Sequence, residues 1–155
     1  MSRTDITLNP PNPGQPADEL ALLVELDTRL SDTIDGLETL QRKADPGFRP
    51  VAADFRALHV RHRARVATLL QCLGHDPEQD GSVFGTVNKA AVALRSWLDT
   101  IDDGVMEAVL QGEKHVLQAY DAVIDASSDA ERTRILRQDR AALVDMVSKH
   151  APAAR

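Results

Sequence analysis

The amino-acid sequence points to an all-α protein, a four-helix bundle with a long crossover linker containing a short fifth helix. Three observations carry this. Apolar residues recur at steps of three and four through four long stretches, the period of a helix with one buried face. Clusters of Pro, Gly, Asp and Ser separate those stretches. No segment alternates apolar and polar residues between turn signals, so no strand is expected. Long helices that each bury one face pack around a shared core, and 155 residues with 43% hydrophobic types suffice for one such domain.

Residues 1–17 hold Pro10, Pro11, Pro13 and Pro16 and little that can pack, which predicts a flexible arm. The bundle domain is expected over 18–150, with a tail at 151–155. Asp18 and Glu19 suit the positive end of a first helix, whose stripe runs Leu20, Leu23, Leu26, Leu30, Ile34, Leu37, Leu40 and Ala44. Asp45-Pro46-Gly47 and Pro50 interrupt it. The second helix runs to about Leu73 on Val51, Phe55, Leu58, Val66, Leu69 and Leu73, and Gly74 is its left-handed stop.

After a loop at 75–81, Ser82 caps a shorter helix over about Val83–Leu98. Asp102-Asp103-Gly104 opens a third long helix through about Ala126, carrying Met106, Val109, Leu110, Leu117, Tyr120, Val123 and Ile124. Ser128 and Glu131 have capping-box spacing and place a fourth helix over about Asp129–His150, with Ile135, Leu136, Ala142, Leu143, Met146 and Val147 on its face. Short turns make each outer pair an antiparallel hairpin. A linker helix of about 16 residues spans about 24 Å, enough to run along the bundle and set the second and third long helices parallel.

Composition narrows the function classes. With 18 Lys and Arg against 24 Asp and Glu the formal net charge is -6, which argues against broad nucleic-acid binding. Arg56, Arg61, Arg63 and Arg65 make the second helix locally basic, but without interleaved aromatics they read as a solvated face paired with acids on a neighbouring helix or subunit. No apolar run is long enough to span a bilayer and no basic start precedes an apolar run, so neither membrane nor secretion is expected, and the cytoplasm is the expected compartment. The lone Cys72 excludes an internal disulfide framework; near a helix C-terminus it reads as a small core residue. Gly36 and Gly112, inside helices, read as points of close approach or local bending.

The informative residues are the polar ones on the stripes. Glu113 fills the slot between Leu110 and Leu117, His62 that between Leu58 and Val66, and Asp139 that between Ile135 or Leu136 and Ala142 or Leu143. All three fall near the middle of their helices. The first helix offers only Asp27, Asp35 and Glu38 at its margin. A carboxylate inside an apolar bundle costs several kcal/mol unless it is paired, protonated or bound to metal. Three outcomes follow: His62 and Glu113 or Asp139 satisfy one another by hydrogen bonds, a one-residue rotation brings an acid to solvent, or Glu113, His62 and Asp139 hold Fe, Mn or Zn. His59 and His62 lie one turn apart, a spacing compatible with zinc but short of ligands.

The element order, the Gly74-His75-Asp76-Pro77 turn, the Gly81-Ser82-Val83-Phe84-Gly85 start of the linker helix, and Gly112-Glu113 followed by Ala119-Tyr120 together resemble a bacterial family of small ferritin-like four-helix proteins classed as a domain of unknown function. The resemblance covers about Leu20–His150 and is most specific over Gly81–Tyr120. It implies a ferritin-like bundle and brings no established activity. Ferritin-like di-iron enzymes place a Glu on each of two helices and Glu-x-x-His on the other two. Here the second helix has His59-Val60-Arg61-His62, and Asp139 is followed three residues on by Ala142. Only Glu113 and His62 keep that pattern, which speaks against oxygen chemistry. The expectation is a non-catalytic structural or interaction module with a degenerate di-metal site, self-associating as a dimer or higher oligomer. A metal-binding protein is the alternative.

Overall fold

The computed structural model describes residues 19–75 and 105–151. The expected arm, crossover linker, short fifth helix and tail lie outside the described residues. Four helices make up nearly all of the rest: α1 (Glu19–Lys43), α2 (Arg49–Cys72), α3 (Val105–Ala126) and α4 (Ala130–His150). None of the described residues is in a strand, and no helix among them is long and apolar enough to cross a membrane.

The helix ends follow local chemistry. The Asp45 carbonyl accepts from the Phe48 and Arg49 amides, turning the chain into α2 with Pro50 in its first turn, where a missing N–H costs nothing. Arg49 Nε in turn donates to the Ala44 carbonyl just past α1, at 3.0 Å. At the far end of α2 the His75 amide reaches back to the Leu70 carbonyl and the Gly74 amide to that of Gln71, both at 2.9 Å, with Gly74 at φ +79°. This is the left-handed stop the sequence predicts. A Cβ at Gly74 would meet nothing within 4 Å, so Gly74→Ala is expected to cost about 1 kcal/mol of purely conformational origin, measurable by chemical denaturation. The cap of α4 differs from the capping box expected of Ser128. Asp129 is the cap residue, its carboxylate accepting from the Arg132 amide at 2.8 Å, while Glu131 pairs with Arg134 instead.

Packing arranges the helices as a square. α1 and α4 each contact both α2 and α3, leaving α1 diagonal to α4 and α2 diagonal to α3. Glu19 at the start of α1 holds Arg132 near the start of α4 through two hydrogen bonds of 2.7 and 3.2 Å, so those N-termini share one end. Phe55 near the start of α2 lies against His150 at the end of α4, ring centroids 5.4 Å apart. Asp121 in the last turns of α3 pairs with Arg140 of α4. Every neighbouring pair is therefore antiparallel, and α2 runs parallel to α3. Charge supports the α1–α2 contact. α2 carries Arg49, Arg56, Arg61, Arg63 and Arg65 against Asp54 alone, and Arg63 meets Asp27 of acidic α1 at 3.1 Å.

The core is aliphatic, with heptad-like spacing of three and four. α1 contributes Leu23, Leu26, Leu30, Leu37 and Leu40; α4 contributes Leu136 and Leu143. On α2 the sequence Ala52, Phe55, His59, His62, Val66, Leu69 keeps that spacing without a gap, and so does Val109, Glu113, Val116, Tyr120, Val123 on α3. Ile34, Leu110, Leu117 and Ile124, expected on the stripes, sit at their half-buried margins. One expectation is corrected and a second is narrowed. Cys72 is exposed, because the last turn of α2 rotates it outward. A Cβ on Gly112 would meet nothing within 4 Å, so no close helix approach demands glycine there.

Candidate functional site

Four heptad positions that would ordinarily hold apolar residues hold polar groups instead, His59, His62, Glu113 and Asp139, and they gather at mid-height. Glu113 on α3 is 1% exposed, and its partner comes from the diagonal helix. His59 Nε2 on α2 lies 2.9 Å from both Glu113 Oε1 and Oε2. With hydrogen on Nε2, the imidazole donates to both oxygens, so one proton serves the pair. The α2 and α3 backbones do not touch, and only two long side chains meeting on the bundle axis can close that diagonal.

One turn further along α2, His62 is also buried. Its ring stands edge-on to Tyr120 of α3, centroids 6.3 Å apart and planes at 86°. Its Nε2 lies 3.6 Å from Oδ1 of Asp139 on α4, beyond hydrogen-bond range. That oxygen is taken by Arg65 of α2, whose side chain is 54% exposed while Asp139 is 1% exposed. Arg65 thus reaches over the α2–α4 seam from solvent to bring a charge to a buried acid. Four atoms of this region are buried without a hydrogen-bond partner: His59 Nδ1, His62 Nδ1, Tyr120 Oη and Asp139 Oδ2.

The electrostatics follow from burial. Desolvation, with the positive potentials of His59, Arg65 and Arg61, holds the His62 imidazole down at about 4, so it is neutral at pH 7. Burial likewise pushes the Tyr120 phenol far up, aided by Asp139 and Glu113. Burial raises the Asp139 carboxyl too, and Arg65 pulls it part of the way back.

The three residues singled out by the sequence, Glu113, His62 and Asp139, are thus all buried on neighbouring layers of the interior. The first is bonded to His59; the other two belong to a second group with Arg65 and Tyr120. Of the marginal acids on α1, Asp35 is exposed, Glu38 half-buried, and Asp27 belongs to Arg63. Two carboxylates and two imidazoles are donors that iron, manganese and zinc accept. In this arrangement each carboxylate has a partner from the chain, Glu113 in His59 and Asp139 in Arg65. Among the described residues, no three His, Cys, Asp or Glu side chains are grouped so as to hold one.

The sequence names two further participants, His59 and Arg65, without assigning them to the centre. His59 was legible, since spacing carried on from Ala52 and Phe55 lands on His59 as well as His62. Arg65, expected to pair with an acid on a neighbouring helix, does so, but its partner is a buried acid, because its side chain starts at the surface and its tip reaches the interior.

Comparisons with known proteins add the family. No curated protein and no solved structure matches the chain significantly. One family does match, over a stretch that takes in α1, α2 and α3 with His59, His62, Glu113 and Tyr120 and stops short of α4. By that match, over residues 18–126, the chain belongs to the family described as Domain of unknown function (DUF2383).

Proposed function

We propose that the protein is a ferritin-like bundle serving as a non-catalytic structural or interaction module, with the place of a di-metal centre taken by side-chain pairs of its own. The observation that carries this is the bonding of both Glu113 oxygens to His59 Nε2 at 2.9 Å, deep in the interior. That contact gives the buried carboxylate a hydrogen-bond partner from the chain itself, with no metal ion needed to satisfy it. The parallel course of α2 and α3, joined by about 30 residues, supports ferritin-like connectivity, in which one connection crosses the length of the bundle. Buried polar pairs of this kind fix helix register at some cost in stability.

Elemental analysis of untagged protein purified without chelator is the test. The expected result is no stoichiometric iron, manganese or zinc. A second reading, a metal-binding protein using Glu113, His62 and Asp139, draws on the unpartnered atoms of His62, Tyr120 and Asp139. It requires stoichiometric metal that is lost in Glu113→Ala. As an interaction module the chain is expected to self-associate, and light scattering across a concentration series should give a mass above one chain. A strict monomer at every concentration would remove self-association from the proposal.

A further inference from the structure

We propose that the Arg65 guanidinium is the resident cation of the bundle centre, standing at Asp139 in the position that would otherwise draw a divalent metal ion. This rests on the reading of the centre as closed by the chain's own side chains, and it names the residue that keeps it closed.

The argument begins with the charge balance of one buried acid. Asp139 is 1% exposed, with Oδ1 bonded to Arg65 and Oδ2 without a partner. Around it stand groups from two other helices, and neither supplies a positive charge at neutral pH. His62 of α2, 3.6 Å away, is neutral, and Tyr120 of α3 is a neutral phenol. Glu113 of α3 adds negative potential to the same region, since it raises the Tyr120 phenol alongside Asp139. The nearest charge of opposite sign is Arg65, which enters from solvent and makes the contact with only its tip.

A guanidinium suits this task. It is always charged, less tightly hydrated than a metal ion, and offers a planar fork of N–H donors to a carboxylate. Tethered one turn from His62, it is present at an effective concentration around the millimolar range or above, which free divalent ions in a cell rarely match. Removing it would leave a buried carboxylate, an imidazole Nε2 within 4 Å of it, and an opening to solvent where the guanidinium entered. That combination favours a divalent cation with carboxylate, imidazole and water ligands.

The test compares full-length wild type, Arg65→Met and Arg65→Met/Asp139→Leu, all stripped with chelator. Thermal melts are recorded with and without Zn²⁺, and visible absorption is followed during Co²⁺ titration. Wild type should melt at the same temperature with or without Zn²⁺ and give no Co²⁺ band. Arg65→Met should melt lower, recover most of the loss with Zn²⁺, and bind Co²⁺ at least about tenfold more tightly than wild type. The double variant should regain the lost melting temperature without any ion and give no band. The proposal is overturned if Arg65→Met melts like wild type, or if it gains no cation response. It is equally overturned if the stripped wild type binds Co²⁺ as well as the variant does. If Arg65→Met does not fold, the double variant decides, since its folding supports the proposal and its failure overturns it. Metal found in wild type as purified is a separate result that bears on the proposed function.

Discussion

Glu113→Ala is expected to lower the unfolding free energy by about 3 kcal/mol, one of the two largest effects anticipated here. The change removes a side chain that is 1% exposed and strands the imidazole it bonds. His59, itself fully buried, would keep Nε2 with no acceptor and Nδ1 already without a partner. Desolvation of an unpaired polar group is the larger part of the loss, and the cavity left by the shortened side chain adds to it. The pair is therefore strongly coupled. His59→Leu alone should cost a similar amount, because it strands the carboxylate instead. The double variant His59→Leu/Glu113→Leu should recover most of either loss, as buried polar pairs replaced by apolar residues of similar volume commonly do. Urea denaturation of the four proteins measures this. Losses that simply add in the double variant would mean the diagonal contact contributes nothing.

Stability is expected to fall steeply as pH drops from about 6.5 to 4, through a contribution from His62 worth about 3 kcal/mol. The folded imidazole titrates at about 4 against an ordinary value of 6.5. Through that window the unfolded chain binds a proton that the folded one refuses, so acid favours unfolding. The contribution is fully present above the ordinary histidine range and is lost as pH falls towards the folded value. Asp139 works in the opposite sense. Its folded carboxyl titrates higher than an unfolded one because of burial, so its contribution is present at low pH and lost as pH rises through the folded value. Glu19 is held down by Arg132 and behaves as an ordinary salt-bridged acid, losing its contribution as pH falls. His62→Phe preserves the edge-on ring against Tyr120 and removes the titration. The stability difference between wild type and His62→Phe should therefore change by about 3 kcal/mol in favour of the variant between pH 7 and pH 4. Parallel pH curves would show that His62 is not held neutral by burial.

The fold was legible because it depends on local signals repeated many times. Leu23, Leu26, Leu30, Leu37 and Leu40 state the period of α1 five times over, and Asp45-Pro46-Gly47 and Gly74 mark where helices stop. The polar centre was legible only in part. Glu113, His62 and Asp139 interrupt apolar stripes, and an interruption shows in a single helix. Their partners depend on how helices are rotated about their axes, where one residue is 100°. Leu58 and His59 differ by that one step, and choosing Leu58 for the stripe left His59 off it. The same uncertainty turned Cys72 inward. That Arg65 would meet an acid of a neighbouring helix was legible, but that the acid is Asp139 was not, because the α2–α4 contact joins segments more than 70 residues apart.

The most direct test of a centre closed by its own side chains is to observe the imidazole nitrogens themselves. In long-range ¹H–¹⁵N spectra of the full chain titrated with Zn²⁺ at neutral pH, His59 should show a protonated Nε2 and His62 a neutral ring. Neither set of ring signals should move as zinc passes one equivalent. Stoichiometric displacement of the His59 or His62 nitrogen signals, with loss of the His59 Nε2 proton, would contradict the account and show that the centre opens to a metal ion.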